Sequence, residues 1–412
     1  MKHYYTVVLI TLLVSCNSNK KQQLAEVKIA EIVQHIPFSG GTKTSLPYLF
    51  SNQDVTILSW VKKINDFTTQ FNYSYLIDDK WEEPKEIITG QDWFVNWADF
   101  PSIVENNGNV LAHFLKKSSQ ETFAYDIKLN ILPKGSPHWQ TESNLHTDGT
   151  KTEHGFVTML PYKEDSFFIT WLDGRNMASG NGHEHLGHGG EMALRAAEIA
   201  IDGTISNDVV IDEKTCTCCQ TTAAITNNGP IVLYRDKTDE EIRDIAITRQ
   251  VNGKWTTPTS IFDDGWKIKG CPVNGPKVDA ISNNIAVAWF TAAQGKPKVK
   301  VSFSENSGAD FTVPVVIANK EALGRVDIVL IDKDNAIISW MENVEKLTYL
   351  KAMKVNKTGT KSTLITISEM DGSRKAGFPQ MERVGDKMFF AWTSLESEVS
   401  SIKTAYVPLE NF

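Results

Sequence analysis

PKVDAI (residues 276–281), IAVAWFTA (285–292), KVKVSFS (298–304) and FTVPVVI (311–317) follow one another, separated by Asn283-Asn284, Gly295-Lys296-Pro297 and Asn306-Ser307-Gly308. Each run is rich in β-branched and aromatic residues, and each gap is made of turn formers. Four such runs in succession predict a four-stranded antiparallel unit. The second run, which ends in an aromatic, recurs along the chain: VTILSW to Trp60, NVLAHF to Phe114, FFITW to Trp171, PIVLY to Tyr234, IAVAWF through Trp289, AIISW to Trp340 and MFFAW to Trp392. These anchors lie roughly 50 to 65 residues apart, the period of a propeller blade. A strand-like partner precedes each one: PYLF, PSIV, FVTML, TAAIT, PKVDAI, RVDIVL and PQMERV.

The repeat predicts an all-β chain forming a single β-propeller of seven four-stranded antiparallel blades, with six as the alternative count. The seventh unit shows only three strands before Phe412. Residues 27–33 (VKIAEIV) are expected to supply the fourth, closing the ring and covering an exposed edge.

The net charge of −8, with no basic patch carrying interleaved aromatics, argues against a nucleic-acid partner. Residues 1–15 read as an export signal. Lys2 precedes a short apolar stretch from Tyr5 to Val14, too short for a stable membrane span. The stretch ends in Leu13-Val14-Ser15-Cys16, which resembles the bacterial lipobox. That resemblance implies cleavage before Cys16, lipidation of Cys16, a tether over residues 16–24 and a propeller over 25–412. The chain is then expected in the cell envelope, anchored to a membrane by its acyl chains and facing the periplasm or the cell surface. An ordinary secretory signal with an incidental cysteine is the alternative.

In a four-stranded meander, the loop after the second strand and the loop joining one blade to the next emerge on the same face. That face receives the unusual residues: 93–100 (WFVNWADF), 173–191, 215–221, 235–243, 263–275 and 371–377. The opposite face receives short polar turns such as ENNGN and VNGK. Function concentrates on loops carried by a rigid scaffold, so the first face is the expected site.

Three groups on it carry chemistry. Cys216, Cys218 and Cys219 form Cys-Thr-Cys-Cys, and Cys271 lies in the next blade-to-blade loop, GCPVNGP. A disulfide staple, a thiolate site for copper or zinc, and a redox or nucleophilic thiol all remain open. Cys-x-Cys-Cys is tight for two ordinary bridges. The loop NGHEHLGHGGE places His183, His185 and His188 within six residues, as metal ligands or as solvated side chains of a glycine-rich loop. Arg175, Arg235, Arg243, Arg325 and Arg374 converge on the same end of the blades. They can clamp a carboxylate bidentately, or form structural ion pairs between blades.

The turn Ser304-Glu305-Asn306-Ser307-Gly308-Ala309-Asp310-Phe311 resembles the Asp-box of sialidase-like propellers, with Asn306 in the Asp place and Phe311 in the Trp place. The Cys-x-Cys-Cys, Tyr-Arg-Asp, Ile-Arg-Asp-Ile and GCPVNGP segments together resemble exported bacterial propellers of the sialidase-like, BNR-repeat kind. This resemblance implies an acidic glycan as partner and a Tyr–Glu nucleophile pair with an Asp acid. Tyr234 with Glu241 or Glu240 would be the pair, and Asp99 or Asp173 the acid. The Phe-Arg-Ile-Pro motif of sialidases is absent from the chain. Two functions therefore stand: binding or hydrolysis of an acidic glycan, or a metal-binding propeller without glycosidase activity.

Overall fold

The computed structural model describes Met1, Ile29 and residues 31–177 and 190–412. The described residues form seven antiparallel sheets arranged as a propeller. Blade one is built from Thr44–Ser51, Thr56–Lys63, Thr69–Ile77 and the paired outer pieces Lys80–Trp81 and Lys85–Gly90. Blade two runs Ser102–Asn106, Asn109–Lys117, Tyr125–Leu132 and Ser143–Asn144, and blade three His154–Tyr162, Ser166–Asp173, Ala193–Ala200 and Ile205–Asp212. Blade four runs Thr222–Thr226, Gly229–Arg235 and Ile245–Val251, with Lys254–Trp255 and Thr259–Ser260 outside. Blade five runs Lys277–Ile281, Asn284–Thr291, Lys298–Ser304 and Val315–Ala318, and blade six Ala322–Leu330, Asn335–Val344, Leu347–Asn356 and Ile365–Met370.

Blade seven holds Gln380–Val384, Lys387–Glu396 and Val399–Pro408, and its fourth strand comes from the start of the chain. That strand is Gln34–Ile36, paired as Gln34 with Tyr406, His35 with Ala405 and Ile36 with Thr404. The expectation of residues 27–33 is corrected here: the closing strand lies just after them. Two features fix this register. The Thr404 hydroxyl donates to the Ile36 carbonyl at 3.0 Å, and Ile36 packs with Trp60 and Phe389. Val33 is buried against the blade-seven core without joining the ladder. Of the 27–33 run, residues 27, 28 and 30 lie outside the described residues.

The core sits between blades. Ile231, Leu233, Ile245 and Ile247 of blade four pack against Ile285, Val287 and Trp289 of blade five. The seven anchor aromatics are all buried. In blades three, five and six the anchor tryptophan donates its indole N–H to a carboxylate: Trp171 to Asp173 at 2.9 Å, Trp289 to Asp264 at 2.7 Å and Trp340 to Glu342 at 3.1 Å. A cation faces each tryptophan across the third strand, namely Arg195, Lys300 and Lys351. This unit keeps a buried indole N–H and a buried carboxylate satisfied together.

The inner strands of blades one, three and six begin with β-bulges, where Leu46, Phe156 and Arg325 take positive φ. A side chain from another blade accepts or occupies the freed N–H: Thr393 for Leu46, Asp99 for Phe156 and Asn274 for Arg325. Bulges of this kind re-aim the backbone toward the axis and rivet neighbouring blades. The turn resembling an Asp-box joins the third and outer strands of blade five. Ser304 accepts from the Gly308 N–H at 3.0 Å and Asn306 from the Asp310 N–H at 3.0 Å, so it is a structural turn.

Candidate functional site

The loops joining blades and the loops after each second strand share one face, here called the linker face. The strand order in every sheet places them there. Two glycines allow the linkers to meet near the axis. A Cβ at Gly275 would stand 2.0 Å from the Gln220 carbonyl oxygen, and one at Gly155 would stand 2.0 Å from Asp99 Oδ2. The first contact seats the Cys271 linker against the Cys216–Gln220 linker. The Gln220 side chain completes the seam, donating to the Ala98 carbonyl at 2.7 Å and accepting from the Gly275 N–H at 3.1 Å.

The cysteines gather as a result. Cys216 Sγ lies 3.4 Å from Cys219 Sγ and 3.8 Å from Cys218 Sγ. The three sulfur atoms all lie within 4.8 Å of one another. Cys271 is exposed, and its thiol interacts with that of Cys218. All four are free thiols. Arg243 Nη1 donates to Cys216 Sγ at 3.2 Å, and Nη2 donates to Glu241 at 2.6 Å. The neighbouring Cys218 and Cys219 thiols, with Arg243 beyond them, hold Cys216 well below the usual thiol range.

A carboxyl pair lies beside the cysteines. Tyr125 donates its hydroxyl to Glu153 Oε1 at 2.7 Å and approaches Asp99 Oδ2 at 3.2 Å. Tyr125 is fully buried and stacked on Phe94 at 4.0 Å, while Glu153 is half-buried. Burial pushes Glu153 up to about 8, with Asp99, Cys271 and Cys216 adding to the effect. Burial likewise raises Asp99 to about 7 against the bonds from Phe156 and Tyr125. Both groups therefore hold protons into the neutral range.

Next to Glu153 lies a polar cluster from the linker before blade three. The His146 and His154 rings stack with centroids 3.7 Å apart. His146 Nδ1 contacts Asp148 Oδ2 at 2.8 Å. His154 is fully buried, and its Nε2 lies 3.4 Å from Asp148 and 3.7 Å from Asp173. Burial tends to raise Asp148, but bonds from Thr150 and the charges of His154 and His146 hold it below the usual range. Asp173 is also held low despite burial, chiefly by Arg175.

The expected site residues separate accordingly. Tyr234 and Glu241 do not form a pair: Tyr234 donates to Asp212, and Glu241 pairs with Arg243. Asp99 is only 2% exposed and caps the blade-three bulge, as Asn274 caps that of blade six. It cannot reach a substrate directly. Asp173 is fully buried and belongs to the tryptophan–carboxylate–cation set repeated in blades five and six. Arg175 forks onto Asp173 at 2.7 Å through both Nε and Nη2. Arg235 is a structural residue. It is 1% exposed, and it donates to the carbonyls of Asn274, Phe290 and Arg243. Arg325 is spent in the same way on Gly377 and Ser373, and burial lowers its pKa to about 10. Arg374 remains exposed, over the Trp97 ring at 5.7 Å, without a salt bridge to a described carboxylate. His183, His185, His188, Glu184 and Cys16 lie outside the described residues.

Tyr125, Glu153, His146, Asp148 and His154 were not anticipated. The signal was present in HTDGTKTEH (146–154), a blade-to-blade linker on the same face with two histidines and two acids. Its repeat equivalents carry no acid at the place of Glu153: blade one has Lys43 and blade six Ala322. A position that departs from the repeat is a stronger mark of function than one that conforms to it.

No family model matches the sequence, and no curated protein matches it. Among solved structures the chain is similar to a PL25 ulvan lyase, with 10% identity and a TM-score of 0.58 over 91% of this chain and 96% of that one. It is also similar to the polysaccharide lyase Uly1, with 7% identity and a TM-score of 0.51 over 94% and 95%. A mutant NanB sialidase from Streptococcus pneumoniae gives 14% identity and a TM-score of 0.47 over 95% and 73%. The two lyase likenesses show the fold: a β-propeller shared with proteins named as polysaccharide lyases.

Proposed function

We propose that this chain is an exported, lipid-anchored propeller that binds and cleaves an acidic glycan on its linker face, with Glu153 as the proton donor. The observation that carries the reading is the Tyr125 hydroxyl held 2.7 Å from Glu153 Oε1 beneath a half-buried carboxyl. Glycosidic cleavage needs a carboxylic acid that is still protonated near neutral pH, and burial supplies one here. In hydrolysis Glu153 gives its proton to the bridging oxygen as the glycosidic bond breaks. Water then delivers its hydroxyl to the anomeric carbon and its remaining proton to the Glu153 carboxylate, which restores the acid. Tyr125 orients Glu153, and Asp99 orients Tyr125 from behind. Arg374, exposed and held over the Trp97 ring, offers a cation to the carboxylate of an acidic sugar. Two structural neighbours that share the fold are polysaccharide lyases by name, which supports a glycan substrate.

The test is incubation of the purified chain with a panel of uronate-rich polysaccharides and sialylated glycans. New reducing ends and released acidic sugars are followed by chromatography. Cleavage that disappears in Glu153→Gln supports the reading. Folded protein that neither binds nor cleaves any member of the panel overturns it.

A further inference from the structure

We propose that Cys216, Cys218, Cys219 and Cys271 form a thiolate centre for one soft d¹⁰ cation, zinc(II) or copper(I), that pins the blade-four linker to the blade-five linker. The site is independent of the glycan reading. It rests on thiols brought together from two linkers and not on any carboxyl group.

The sulfur spacing carries the argument. Four sulfur atoms around a metal at about 2.3 Å stand roughly 3.8 Å from one another. Cys216 Sγ lies 3.8 Å from Cys218 and 3.4 Å from Cys219, so three of the four sulfurs already stand at that spacing. Cys271, which interacts with Cys218, lies outside the trio and has to close onto it as the fourth ligand. A disulfide needs its sulfurs about 2.05 Å apart, closer than the 3.4 Å and 3.8 Å separations here. Cys216–Cys219 and Cys218–Cys271 bridges would use the same four sulfurs and are the competing outcome that thiol counting detects. A single cation satisfies every sulfur at once.

The surroundings suit an anionic centre. Arg243 donates to Cys216 at 3.2 Å, compensating a thiolate-rich cluster in the way outer-shell donors do. Arg235, buried between the same blades, adds a second positive charge near Cys219. Cys216 and Cys219 are buried, Cys218 is half-buried and Cys271 is exposed. The centre therefore has a sealed side toward blade four and one ligand open to solvent, through which a cation can enter. Gly275 makes the assembly possible, since any side chain there would push the Cys271 linker off the Gln220 backbone. All-sulfur ligation selects soft or borderline ions over magnesium and calcium.

The test uses the full chain, extracted in detergent and purified anaerobically without chelators. Its zinc and copper content is measured by elemental mass spectrometry, and its free thiols by alkylation. The demetallated, reduced chain is then titrated with zinc(II) and separately with copper(I) held by a competing chelator. One equivalent of either ion, protecting the four thiols from alkylation, is the expected result, and the tighter ion identifies the native cation. Cys216→Ser should weaken binding by more than the roughly 10–100-fold that losing an outer-shell partner costs. Cys271→Ser, at an exposed position that folding does not need, should weaken it while leaving the unfolding temperature of the metal-free chain unchanged. A native chain with a disulfide among these cysteines and no metal overturns the proposal. So does a reduced chain that binds both ions no more tightly than Cys216→Ser does.

Discussion

Tyr125 holds Glu153 from below: its buried hydroxyl stands 2.7 Å from Glu153 Oε1, and the same oxygen approaches Asp99 at 3.2 Å. The three residues come from three places, namely the third strand of blade two and the linkers before blades three and two. The packing of blade three against blade two makes them neighbours, with Tyr125 bridged to Glu153 and the Phe156 N–H bonded to Asp99. Tyr125 does the joining because a phenol can donate to one carboxylate oxygen while lying against another.

Glu153 should therefore govern the pH dependence of glycan cleavage. Its protonated form persists up to about pH 8, so the rate should fall as pH rises through that value. Glu153→Gln should lower turnover by roughly 10²–10⁴-fold, the usual contribution of a general acid. Tyr125→Phe should cost less and move the alkaline limb of the profile, because it changes the proton affinity of Glu153 without removing the acid. A pH–rate series on the three proteins checks this, and an unmoved limb in Tyr125→Phe would show that the phenol does not act through Glu153.

Asp99 gives a separate prediction, on stability. Its carboxyl titrates near 7 when folded and at about 3.9 when unfolded. The folded state thus binds the extra proton between those values, and stability must decline as pH rises from 4 through 7. Three units correspond to about 4 kcal/mol at most. Asp99→Asn keeps an acceptor for the Phe156 N–H and removes the titration. Denaturant melts across this range should show a flatter pH dependence in the variant. Parallel curves for the two proteins would contradict the assignment.

The fold was legible because a propeller writes its core into a period. The anchors from Trp60 to Trp392 are buried in every blade, and their strands alternate with turn residues that the backbone requires. The linker face was legible for the same reason, since strand order alone sorts the loops. Individual roles were not legible. Tyr234 and Glu241 are near in sequence but face different partners, and Arg235 ends a strand where three carbonyls meet it from other segments. Asp99 and Asp173 look catalytic in isolation. Comparison with Asn274, and with Asp264 and Glu342, shows them performing tasks that the fold repeats. Apolar alternation marks 27–33, yet the polar QHI that follows is the run that pairs, because its ladder to residues 404–406 needs only backbone groups and the one buried side chain of Ile36.

The lipobox-like Leu13-Val14-Ser15-Cys16 yields a prediction outside the propeller. Mass spectrometry of the native chain should find an N-terminus at Cys16 carrying acyl groups. Two or more chains give stable attachment, whereas one gives only marginal binding. Cys16→Ala should leave the protein unprocessed or release it from the membrane fraction. A wild-type chain that is soluble and begins elsewhere would dispose of the anchor.

Two arginines on the linker face should respond in opposite ways to removal. Arg374 is exposed over Trp97, and Arg235 is buried with its guanidinium bonded to the carbonyls of Asn274, Phe290 and Arg243. Arg374→Ala should leave thermal stability within about 0.5 kcal/mol of the wild type, as surface substitutions do. It should weaken an acidic glycan more than a neutral one of the same length, because only the acidic ligand loses a charge-assisted bond. Arg235→Ala strands several buried acceptors, each costing about 1–3 kcal/mol, and also removes the cation over Trp266 at 4.8 Å. It should lower the unfolding temperature sharply, and any loss of glycan binding should follow the loss of folded protein. Equilibrium melts and binding isotherms on both variants separate the two behaviours. An Arg374→Ala chain that binds acidic glycans as the wild type does would remove that residue from the site and leave the carboxyl pair to account for recognition.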